Sequence, residues 1–518
     1  MPEFLRAYIV VIFLSAFALF IVNRWKPFPV SAPEYRSWIV LWLGMTSVAF
    51  LGFNYWIFIL LGAVLLSRVL PRNLEDKVAA YFFLLPTLPF LTRQIPGFGG
   101  INFLFDMTYP RLLDFVVLVP VFFALIGGTR GRAATRYFPS DKYAYSYFVL
   151  ISILAFRDTT ITGGIRGAFY VLTDQFLPYY VVSRAVISLD GFRKVFSAIA
   201  ASAFVVSVLA IFEAGKQWYL FENLERTLSQ YRGRSSPYAV GRFGSIRVKT
   251  TFAGPIALGY FLVIGYAALR FLKTYFKDNK VYFGFSMAIL VSLILTFSRG
   301  PWVGLVIFLC VFAILSPRRG KALPSLALVG AGIAFVLITI PGGDKIIGFL
   351  PYLGGGAATG SVDYRERLFT NSLIVISRSP FLGSTTYMSA PEMLELRTGQ
   401  GIIDTVNTYL VIALTAGYIG LGLFAGTFIS VLLGILKNTR RAHTLGIEYF
   451  TVGQTLFSVV FAMLVIVGTV SPIGSIPLYY WSFAGLGAAY INLMRANTGE
   501  KNRTKTLEQD RHFSHVQG

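Results

Sequence analysis

The sequence predicts an all-α fold, a polytopic membrane helical bundle of about 12–15 transmembrane helices with a large loop on the outer side. Of the 518 residues, 55% are hydrophobic and only 14% are charged, whereas a soluble domain carries about 25% charged residues. Apolar runs of roughly 17–25 residues recur from end to end, as transmembrane helices require. The alternating segments of about ten residues that build a transmembrane β-barrel are absent.

The apolar runs give the spans in chain order, and together they make residues 1–495 one multi-pass transmembrane domain. The run from 38 to 71 is too long for one span, and Gly52, Phe53 and Asn54 within it are typical of a tight turn, so we expect a helical hairpin there. We predict spans near residues 5–23, 37–51, 54–71, 78–92, 111–127, 143–156, 165–183, 195–214, 252–269, 281–297, 301–316, 323–340, 405–436, 449–470 and 475–494.

Basic residues in short loops assign the two sides of the membrane. The loops 129–142, 270–280, 316–321 and 437–443 are rich in Lys and Arg, and an even number of spans separates each from the next. The positive-inside rule therefore places all four in the cytoplasm, together with a polar tail, residues 496–518, that is predicted to be disordered. These loops explain a formal net charge of +22, so we expect membrane lipids and no nucleic acid as partners.

Two loops on the outer side are long, residues 215–250 and 341–404. Short hairpins do not need such loops, and function concentrates in them. The first loop is net positive on the side where the positive-inside rule disfavours basic residues, which favours an anionic ligand, although a long loop can also tolerate the excess. Its charged residues are Lys216, Arg226, Arg232, Arg234, Arg242, Arg247 and Lys249 against Glu222 and Glu225.

Arg299 lies at an outer turn between two predicted spans. Ser298 and Gly300 permit the turn, and Pro301 can occupy the first position of the next helix. A guanidinium beside a helix start is suited to phosphate, because the arginine bonds in bidentate fashion and the helix dipole adds positive charge. The alternative is an arginine that anchors the helix by reaching to the membrane surface.

A further charged group lies in the second outer loop. Arg365 lies between Asp363 and Glu366, and Arg367 follows Glu366. The two arginines suit either a second phosphate clamp or, if the segment is helical, an ordinary i,i+4 ion pair between Asp363 and Arg367.

Asp404 and Asn407 precede a long apolar span. Asp404 suits either the N-cap of that span or a general base at the membrane surface, and the sequence alone favours the cap.

Several chemistries find no support in the sequence. The single cysteine, Cys310, allows no intramolecular disulfide, and the three histidines, His443, His512 and His515, fall on the cytoplasmic side. No P-loop and no early outer Asp-x-Asp pair is present. We therefore expect no metal and no cofactor, and an outward-facing reaction driven by a preactivated donor.

Four segments, in this order, resemble motifs of the O-antigen ligase and O-antigen polymerase superfamily. They are "TFAGPIALG" at 251–259, "FSRGPWVGL" at 297–305, "YRERLF…SRSPFLGST" at 364–385 and "VNTYLVIALTAGYIGLGLF" at 406–424. The resemblance covers about residues 220–435, with the large outer loop in the place that the family has it.

The resemblance implies a membrane glycosyltransferase that needs no metal and faces the periplasm of a bacterial inner membrane. Its donor would be a glycan on undecaprenyl pyrophosphate, its acceptor another glycan, and its by-product lipid pyrophosphate. By position in the motifs, Arg299 and one of Arg365 and Arg367 match the arginines that bind the pyrophosphate. We assign Arg299, Arg367 and Asp404 as catalytic residues, with Asp404 as the nearest candidate to assist the acceptor hydroxyl. We assign Arg365, Asn407 and Tyr409 to substrate binding, together with Arg242 and Arg247 of the basic first outer loop.

The sequence departs from the family pattern where ligases carry a histidine, since Val406 stands there, and Gly254-Pro255 replaces a common His-Pro. This departure favours a polysaccharide polymerase that builds an exopolysaccharide or O-antigen, with a chain-length regulator and a flippase as expected partners. The alternatives are an O-antigen ligase with a lipid or protein acceptor, and a flippase or other transporter. A transporter predicts charges within spans, where Asp174 and Glu213 are the main examples.

Overall fold

A computed structural model of the protein describes residues 3–127, 137–157, 159–230, 244–317, 320, 324, 359–397 and 403–516. Arg242, most of the predicted span 323–340 and residues 341–358 of the second outer loop lie outside the described residues.

The described secondary structure is almost entirely helical. The helices are α1 (Glu3–Trp25), α2 (Ala32–Leu51), α3 (Tyr55–Val69), α4 (Leu74–Leu84), α5 (Tyr109–Leu113), α6 (Val119–Gly127), α7 (Asp141–Leu154), α8 (Ile161–Val171), α9 (Leu177–Ala185), α10 (Leu189–Lys216), α11 (Glu222–Leu228), α12 (Pro255–Phe271), α13 (Asn279–Leu295), α14 (Arg299–Leu315), α15 (Thr359–Arg378), α16 (Pro391–Leu394), α17 (Thr408–Ala442), α18 (Ile447–Val467) and α19 (Ile476–Val516). Two π-helical turns, Asp114–Leu118 and Leu172–Phe176, join α5 to α6 and α8 to α9. Short 3₁₀ turns occupy Leu272–Tyr275 and Tyr387–Ser389.

The predicted all-α polytopic fold is confirmed. Within the described ranges, 6 helices are long and apolar enough to cross a membrane, and they are Glu3–Trp25, Tyr109–Gly127, Leu189–Lys216, Pro255–Tyr275, Thr408–Ala442 and Ile447–Val467. Three shorter apolar helices, α3, α13 and α14, have 15, 17 and 17 residues. Fewer helices therefore reach full span length than the 12–15 spans counted from the sequence, because several apolar runs fold as shorter helices interrupted by turns.

The predicted hairpin over residues 38–71 is present as α2 and α3. Asn54 begins α3 as its N-cap, with its side-chain oxygen accepting from the backbone N–H of Trp56 at 2.8 Å. A capping side chain of this kind stabilises a helix by about 1 kcal/mol. The turn before it is tight, since Phe53 has a left-handed φ of 48°.

The predicted span 78–92 is wrong. Helix α4 ends at Leu84, and Pro86 and Pro89 follow it closely. Proline has no N–H and disfavours the helical conformation in the residue before it, so the helix cannot continue. The chain then forms strand β1 (Thr92–Pro96), which pairs antiparallel with β2 (Phe103–Thr108), with Thr92 opposite Thr108.

The last helix includes the polar tail. Helix α19 continues as one element from Ile476 to Val516 and so takes in the backbone of residues 496–516. Lysine, arginine, glutamate and glutamine, which are good helix formers, occur in this stretch. The disorder of the tail stays a prediction from its composition.

The core is organised around two helices. Helix α10 packs against α1, α4, α12 and α13, while α17 packs against α7, α18 and α19. Helix α10 buries a continuous series of small residues, among them Ala200, Ala203 and Ser207, and small residues allow helix backbones to approach closely in a membrane.

Contacts between loops show which loops lie together at each of the two ends of the bundle. At the first, Thr251 Oγ1 donates to the Pro86 carbonyl at 2.7 Å and Thr408 Oγ1 donates to the Val470 carbonyl at 2.7 Å. We call this the arginine end, and it comprises the segments 85–108, 217–230, 244–254, 296–299, 403–407 and 468–475.

The opposite end carries the other loops of the bundle. There Lys194 contacts Glu34 and Asp76, both at 2.7 Å, and Arg193 contacts Glu448 at 2.5 Å. We call this the paired-charge end, and it comprises the segments 26–34, 70–76, 186–194, 272–278 and 443–448.

Candidate functional site

Arg299 is the first residue of α14, at the turn from α13. The turn is sharp, since Phe297 has a left-handed φ of 45°, a conformation that costs a non-glycine residue of order 1–3 kcal/mol. A Cβ at Gly300 would collide with the side chain of Thr469. Only glycine therefore allows the start of α14 to approach the α18–α19 loop this closely, and this approach fixes the position of Arg299.

Arg247 lies beneath this turn. Its Nε donates to the Thr296 carbonyl at 3.1 Å and its Nη2 donates to Ser298 Oγ at 2.9 Å. The side chain is buried, so these charge-assisted bonds hold the turn from within. Sequence reasoning assigned Arg247 to substrate binding, whereas the structure gives it contacts that orient the segment carrying Arg299.

Glu213, near the end of α10, organises the segment that carries Arg247. Its carboxylate accepts from the backbone N–H groups of Leu220 at 3.1 Å, Lys249 at 3.3 Å and Thr250 at 3.0 Å. Thr250 has a left-handed φ of 46°, which is strained for a β-branched residue. The sequence marked Glu213 as a charge within a span, and the structure gives it this architectural contact.

Arg365 reaches the site from α15. Its neighbour Tyr364 donates its hydroxyl to the Asp404 carbonyl at 3.0 Å and accepts from the Asp404 backbone N–H at 3.0 Å. These two bonds fasten the start of α15 to the segment before α17. They bring the "YRER" motif and the segment that precedes "VNTY" together, and Tyr364 is a residue that the sequence analysis did not select.

Electrostatics place Arg365 beside Arg299 and Asp404. Burial lowers the pKa of the Arg365 guanidinium below the ordinary arginine value, nearby Arg299 lowers this pKa further, and Asp404 opposes both effects. Two guanidinium groups from separate segments thus share one half-buried region. Like charges brought together in this way raise each other's energy, and a bound anion relieves that cost.

Asp404 is a half-buried carboxylate in this region. Ser471 Oγ, on the α18–α19 loop, lies 3.0 Å from its Oδ1 and donates to it. The sequence favoured Asp404 as the N-cap of the following helix, and this is wrong. Asn407 is the cap of α17, and its Oδ1 accepts from the N–H groups of Tyr409 at 2.9 Å and Leu410 at 3.2 Å.

Arg367 lies elsewhere on α15. Residues two positions apart in a helix point about 200° away from each other, so Arg367 is exposed whereas Arg365 is half-buried. Asp363 is exposed too, and these two described side chains form no ion pair with each other.

Tyr409 points into the bundle. Its hydroxyl donates to the Leu464 carbonyl of α18 at 2.6 Å. The structure therefore groups Arg299, Arg365 and Asp404, with Arg247 beneath them. It gives Asn407 and Tyr409 bonds within the helix bundle.

The later parts of the third and fourth motifs meet at a kink in α17. Gly417 has φ 66°, and a Cβ there would collide with the backbone of Phe381. The segment after α15 takes over the backbone bonds that the kink interrupts. Tyr418 N donates to the Pro380 carbonyl at 2.7 Å, and Ser384 N donates to the Leu414 carbonyl at 2.8 Å. The "SRSPFLGS" and "ALTAGYIG" motifs are therefore two halves of one joint.

Arg157, after α7, secures this joint. Its Nη1 donates to the carbonyls of Leu382 at 2.9 Å and Gly383 at 3.1 Å, and its Nη2 donates to the Thr415 carbonyl at 2.6 Å. The joint determines where α15 and α17 lie relative to each other, and hence the geometry between Arg365 and Asp404.

Two of the basic residues in the first outer loop serve a different purpose. Lys249 Nζ lies 2.8 Å from Glu225 Oε2, and Arg226 pairs with Glu222. Burial raises the pKa of Glu225, and nearby Lys249 opposes this effect. Lys249 and Arg226 are therefore held by carboxylates of their own loop.

No three His, Cys, Asp or Glu side chains are grouped to hold a metal ion in the described part of the chain. The chemistry available at the arginine end from described residues is therefore charge neutralisation by guanidinium groups and proton transfer by a carboxylate.

Comparison with known proteins identifies the segment that carries this site. Residues 284–425 match a family model described as O-antigen ligase, and this range includes Arg299, Arg365 and Asp404. The match confirms the resemblance to the O-antigen ligase and polymerase superfamily. No match to the chain is found among curated proteins.

Proposed function

We propose that this protein, whose residues 284–425 form a domain of the O-antigen ligase type, polymerises oligosaccharide repeat units linked to undecaprenyl pyrophosphate. The product is an exopolysaccharide or O-antigen, and lipid pyrophosphate is released. The observation that carries the proposal is the way in which the fold brings the segments of Arg299, Arg365 and Asp404 together. Tyr364, next to Arg365, bonds to Asp404, and Asp404 bonds to Ser471 on the α18–α19 loop, against which Gly300, next to Arg299, also packs.

The arginines bind the diphosphate of the donor. Two guanidinium groups offer ten N–H donors in fixed planes, and each can grip phosphate oxygens in bidentate fashion. The helix start at Arg299 adds a partial positive charge on the same side. A diphosphate, with several negative charges in a small volume, matches this arrangement better than a single carboxylate does.

The transfer step uses the same charges. An acceptor hydroxyl oxygen attacks the anomeric carbon of the donor sugar, and the bond between that carbon and the pyrophosphate oxygen breaks. The electron pair of the broken bond stays on the pyrophosphate, where negative charge grows. Arg299 and Arg365 stabilise that developing charge, and fixed cations of this kind accelerate a reaction because they need no rearrangement.

The hydroxyl proton passes to the Asp404 carboxylate and from there to solvent. Asp404 is suited to this role because it is half-buried and Ser471 orients it by the bond at 3.0 Å. A good leaving group demands little help from a base, so Asp404 contributes less to the rate than the arginines. This chemistry needs no metal, and EDTA should leave the purified enzyme active.

A polymerase is favoured over a ligase by Val406, which replaces the histidine of the ligase motif. The acceptor is then a second glycan, and a chain-length regulator and a flippase are the partners that such a pathway needs. Deletion of the gene tests this directly. A polymerase predicts loss of polymer while single repeat units are still made and transferred. Loss of all transfer to the final acceptor would indicate a ligase instead.

The arginine end faces the periplasm of a bacterial inner membrane in this proposal. A cysteine at exposed Thr227 should react with a membrane-impermeant reagent in intact spheroplasts. A cysteine at exposed Lys437, beyond the other end, should react only after lysis. Both variants are made with Cys310→Ser, and the reverse labelling would overturn the orientation and the periplasmic site with it.

A further inference from the structure

A polar cavity of about 340 Å³ lies at the arginine end, apart from Arg299 and Arg365. Its walls come from the first turn of α3, strand β1 and the segment after α11. The residues that line it are Trp56, Arg93, Gln94, Pro96, Ser229 and Gln230. Ligand pockets fall between about 300 and 1,000 Å³, so the cavity is large enough for a small ligand.

Long-range hydrogen bonds build this cavity. Gln230 N donates to the Thr92 carbonyl at 2.8 Å, and Gln94 N donates to Gln230 Oε1 at 2.9 Å. Gln230 Nε2 in turn donates to Gln94 Oε1 at 3.2 Å. Arg93 Nε donates to the Leu228 carbonyl at 3.0 Å. The chain after α11 is thereby fastened to β1, and the polar side chains that line the cavity are held in place.

Hydrogen-bonding capacity remains at the walls. Within the described part of the chain, the bonds of these side chains do not use Trp56 Nε1, Arg93 Nη1 or Gln94 Nε2. The Trp56 side chain is also 37% exposed although it is large and apolar. The cavity thus combines an aromatic surface, amide groups and a guanidinium, and none of its described lining residues is a carboxylate.

This combination suits a carbohydrate. A sugar ring has an apolar C–H face that packs on an indole, and a rim of hydroxyls that donate to and accept from amides. A lipid chain would leave the polar walls without partners. A phosphate would meet only one guanidinium, which already donates to the carbonyls of Leu228 and Thr227.

The cavity is connected to the transfer site through the fold. Helix α11, whose last residue bonds to Arg93, also holds Lys249 through Glu225 at 2.8 Å. Lys249 is two residues from Arg247, which holds the Arg299 turn. A glycan bound at the cavity therefore contacts the same set of loops that positions the arginines.

We propose that this cavity is a glycan-binding subsite that holds a non-reacting sugar of the acceptor chain, with Trp56 as its platform. The inference rests on the proposed function, because it supplies the site for the growing polymer. A sugar held here contributes binding energy away from the reacting carbon and keeps the acceptor attached between transfers. Arg93, with no carboxylate in the lining, admits acidic as well as neutral sugars.

Direct binding tests the subsite without catalysis. The probe is a set of free oligosaccharides released by partial acid hydrolysis from the host's surface polysaccharide, which lack the lipid pyrophosphate. Binding to the purified full-length protein is measured by saturation-transfer NMR and calorimetry. Trp56→Ala and Gln94→Ala should each weaken binding at least tenfold. Trp25→Ala is the matched control. Trp25 is an exposed tryptophan at the last residue of α1, next to the paired-charge end and away from the cavity, so its loss should leave binding unchanged.

Arg299→Ala separates this inference from the proposed function. If both hold, Arg299→Ala abolishes polymerisation but still binds free oligosaccharide, and Trp56→Ala gives shorter polymer with an unchanged KM for the lipid-linked donor. Full oligosaccharide binding by both Trp56→Ala and Gln94→Ala would overturn the subsite and leave the arginine site intact. Normal activity of Arg299→Ala would overturn the transfer site and leave the oligosaccharide binding result standing.

Discussion

Lys194 at the paired-charge end and Arg365 at the arginine end lie in opposite electrostatic surroundings. At the paired-charge end, Lys194 lies within 2.7 Å of Glu34 and of Asp76 and 3.2 Å from Asp190. One cation there has three carboxylates around it. At the arginine end, Arg365 is half-buried near a second cation, Arg299, with Asp404 as the carboxylate that acts on it.

This contrast separates structural charges from functional ones. A buried cation surrounded by carboxylates is neutralised by the fold, and it stabilises one arrangement of helices. Arg299 and Arg365 act on each other as like charges and share one nearby carboxylate, Asp404, so a ligand that brings negative charge is favoured there. The site therefore lies where like charges meet and not where charges are most numerous.

Loss of Arg299 should have the largest effect on glycan transfer. Arg299→Ala should lower the rate of glycan transfer about 10²–10³-fold, because a fixed charge facing the leaving group is lost. Arg299→Lys should recover only part of the rate, since a point charge cannot make the bidentate contact. The measurement is polymer formation in vitro from a lipid-pyrophosphate-linked donor. Wild-type rates in Arg299→Ala would mean that the crowding of cations at this end has no catalytic purpose.

A pair of variants in α15 tests which side of this helix faces the ligand. Arg365→Ala should raise the KM for the lipid-linked donor and lower kcat, together about 10²-fold in kcat/KM, because its guanidinium lies beside Arg299. Arg367→Ala removes an equal charge two residues away on the exposed side, and it should change kcat/KM less than about threefold. If Arg367→Ala proves the more damaging, the ligand approaches the opposite face of α15.

The arginine end also shows how far the sequence predicts a site. The motif order selected Arg299, Arg365, Arg367 and Asp404 as candidates, and the apolar runs predicted the helical bundle. The sequence could not choose between Arg365 and Arg367, because the choice depends on which face of α15 packs against the segment before α17. It also missed Tyr364, whose two bonds to Asp404 join parts of the chain 40 residues apart.

Other failures have local causes. Span 78–92 was predicted from hydrophobicity, and Pro86 and Pro89 end the helix within it. Asp404 was preferred as a helix cap because aspartate is a good cap, but Asn407 stands nearer the helix start and takes that position. Substrate binding by Arg247 stays a prediction from its charge, and its bonds to Thr296 and Ser298 could be known only from the turn that it supports.

Loss of Arg247 should have an intermediate effect on kcat. Arg247→Met keeps much of the side-chain volume and removes the bonds to Thr296 and Ser298. Arg299 then loses its fixed position, so kcat should fall about tenfold while the KM for the donor changes little. Arg247→Lys should restore part of kcat, because it can still donate to Thr296. A loss confined to KM would contradict this and place Arg247 in contact with the donor.

Asp404 should have a smaller effect than the arginines. Asp404→Asn keeps the shape and removes the proton acceptor, so kcat should fall about tenfold at unchanged donor KM. Asp404→Glu should retain more activity, since a carboxylate remains. The backbone bonds between Asp404 and Tyr364 are kept in both variants, which limits structural effects. Full activity of Asp404→Asn would show that the hydroxyl proton leaves by another route.

The smallest effect on transfer is expected at the paired-charge end, where a substitution should lower stability instead. Lys194→Met leaves Glu34 and Asp76 without their shared cation in a region where that lysine side chain is 14% exposed. Uncompensated carboxylates there should lower the free energy of unfolding by about 2 kcal/mol, seen as a lower Tm in detergent. Lys437→Met is the matched control, an exposed lysine in the last turns of α17, which leads to the same end, and its Tm should not change. Transfer per folded molecule should stay within about twofold of the wild type in both variants, because the arginine end is untouched. A selective loss of donor affinity in Lys194→Met would mean that the two ends are coupled, and that a well-paired cation can also serve the site.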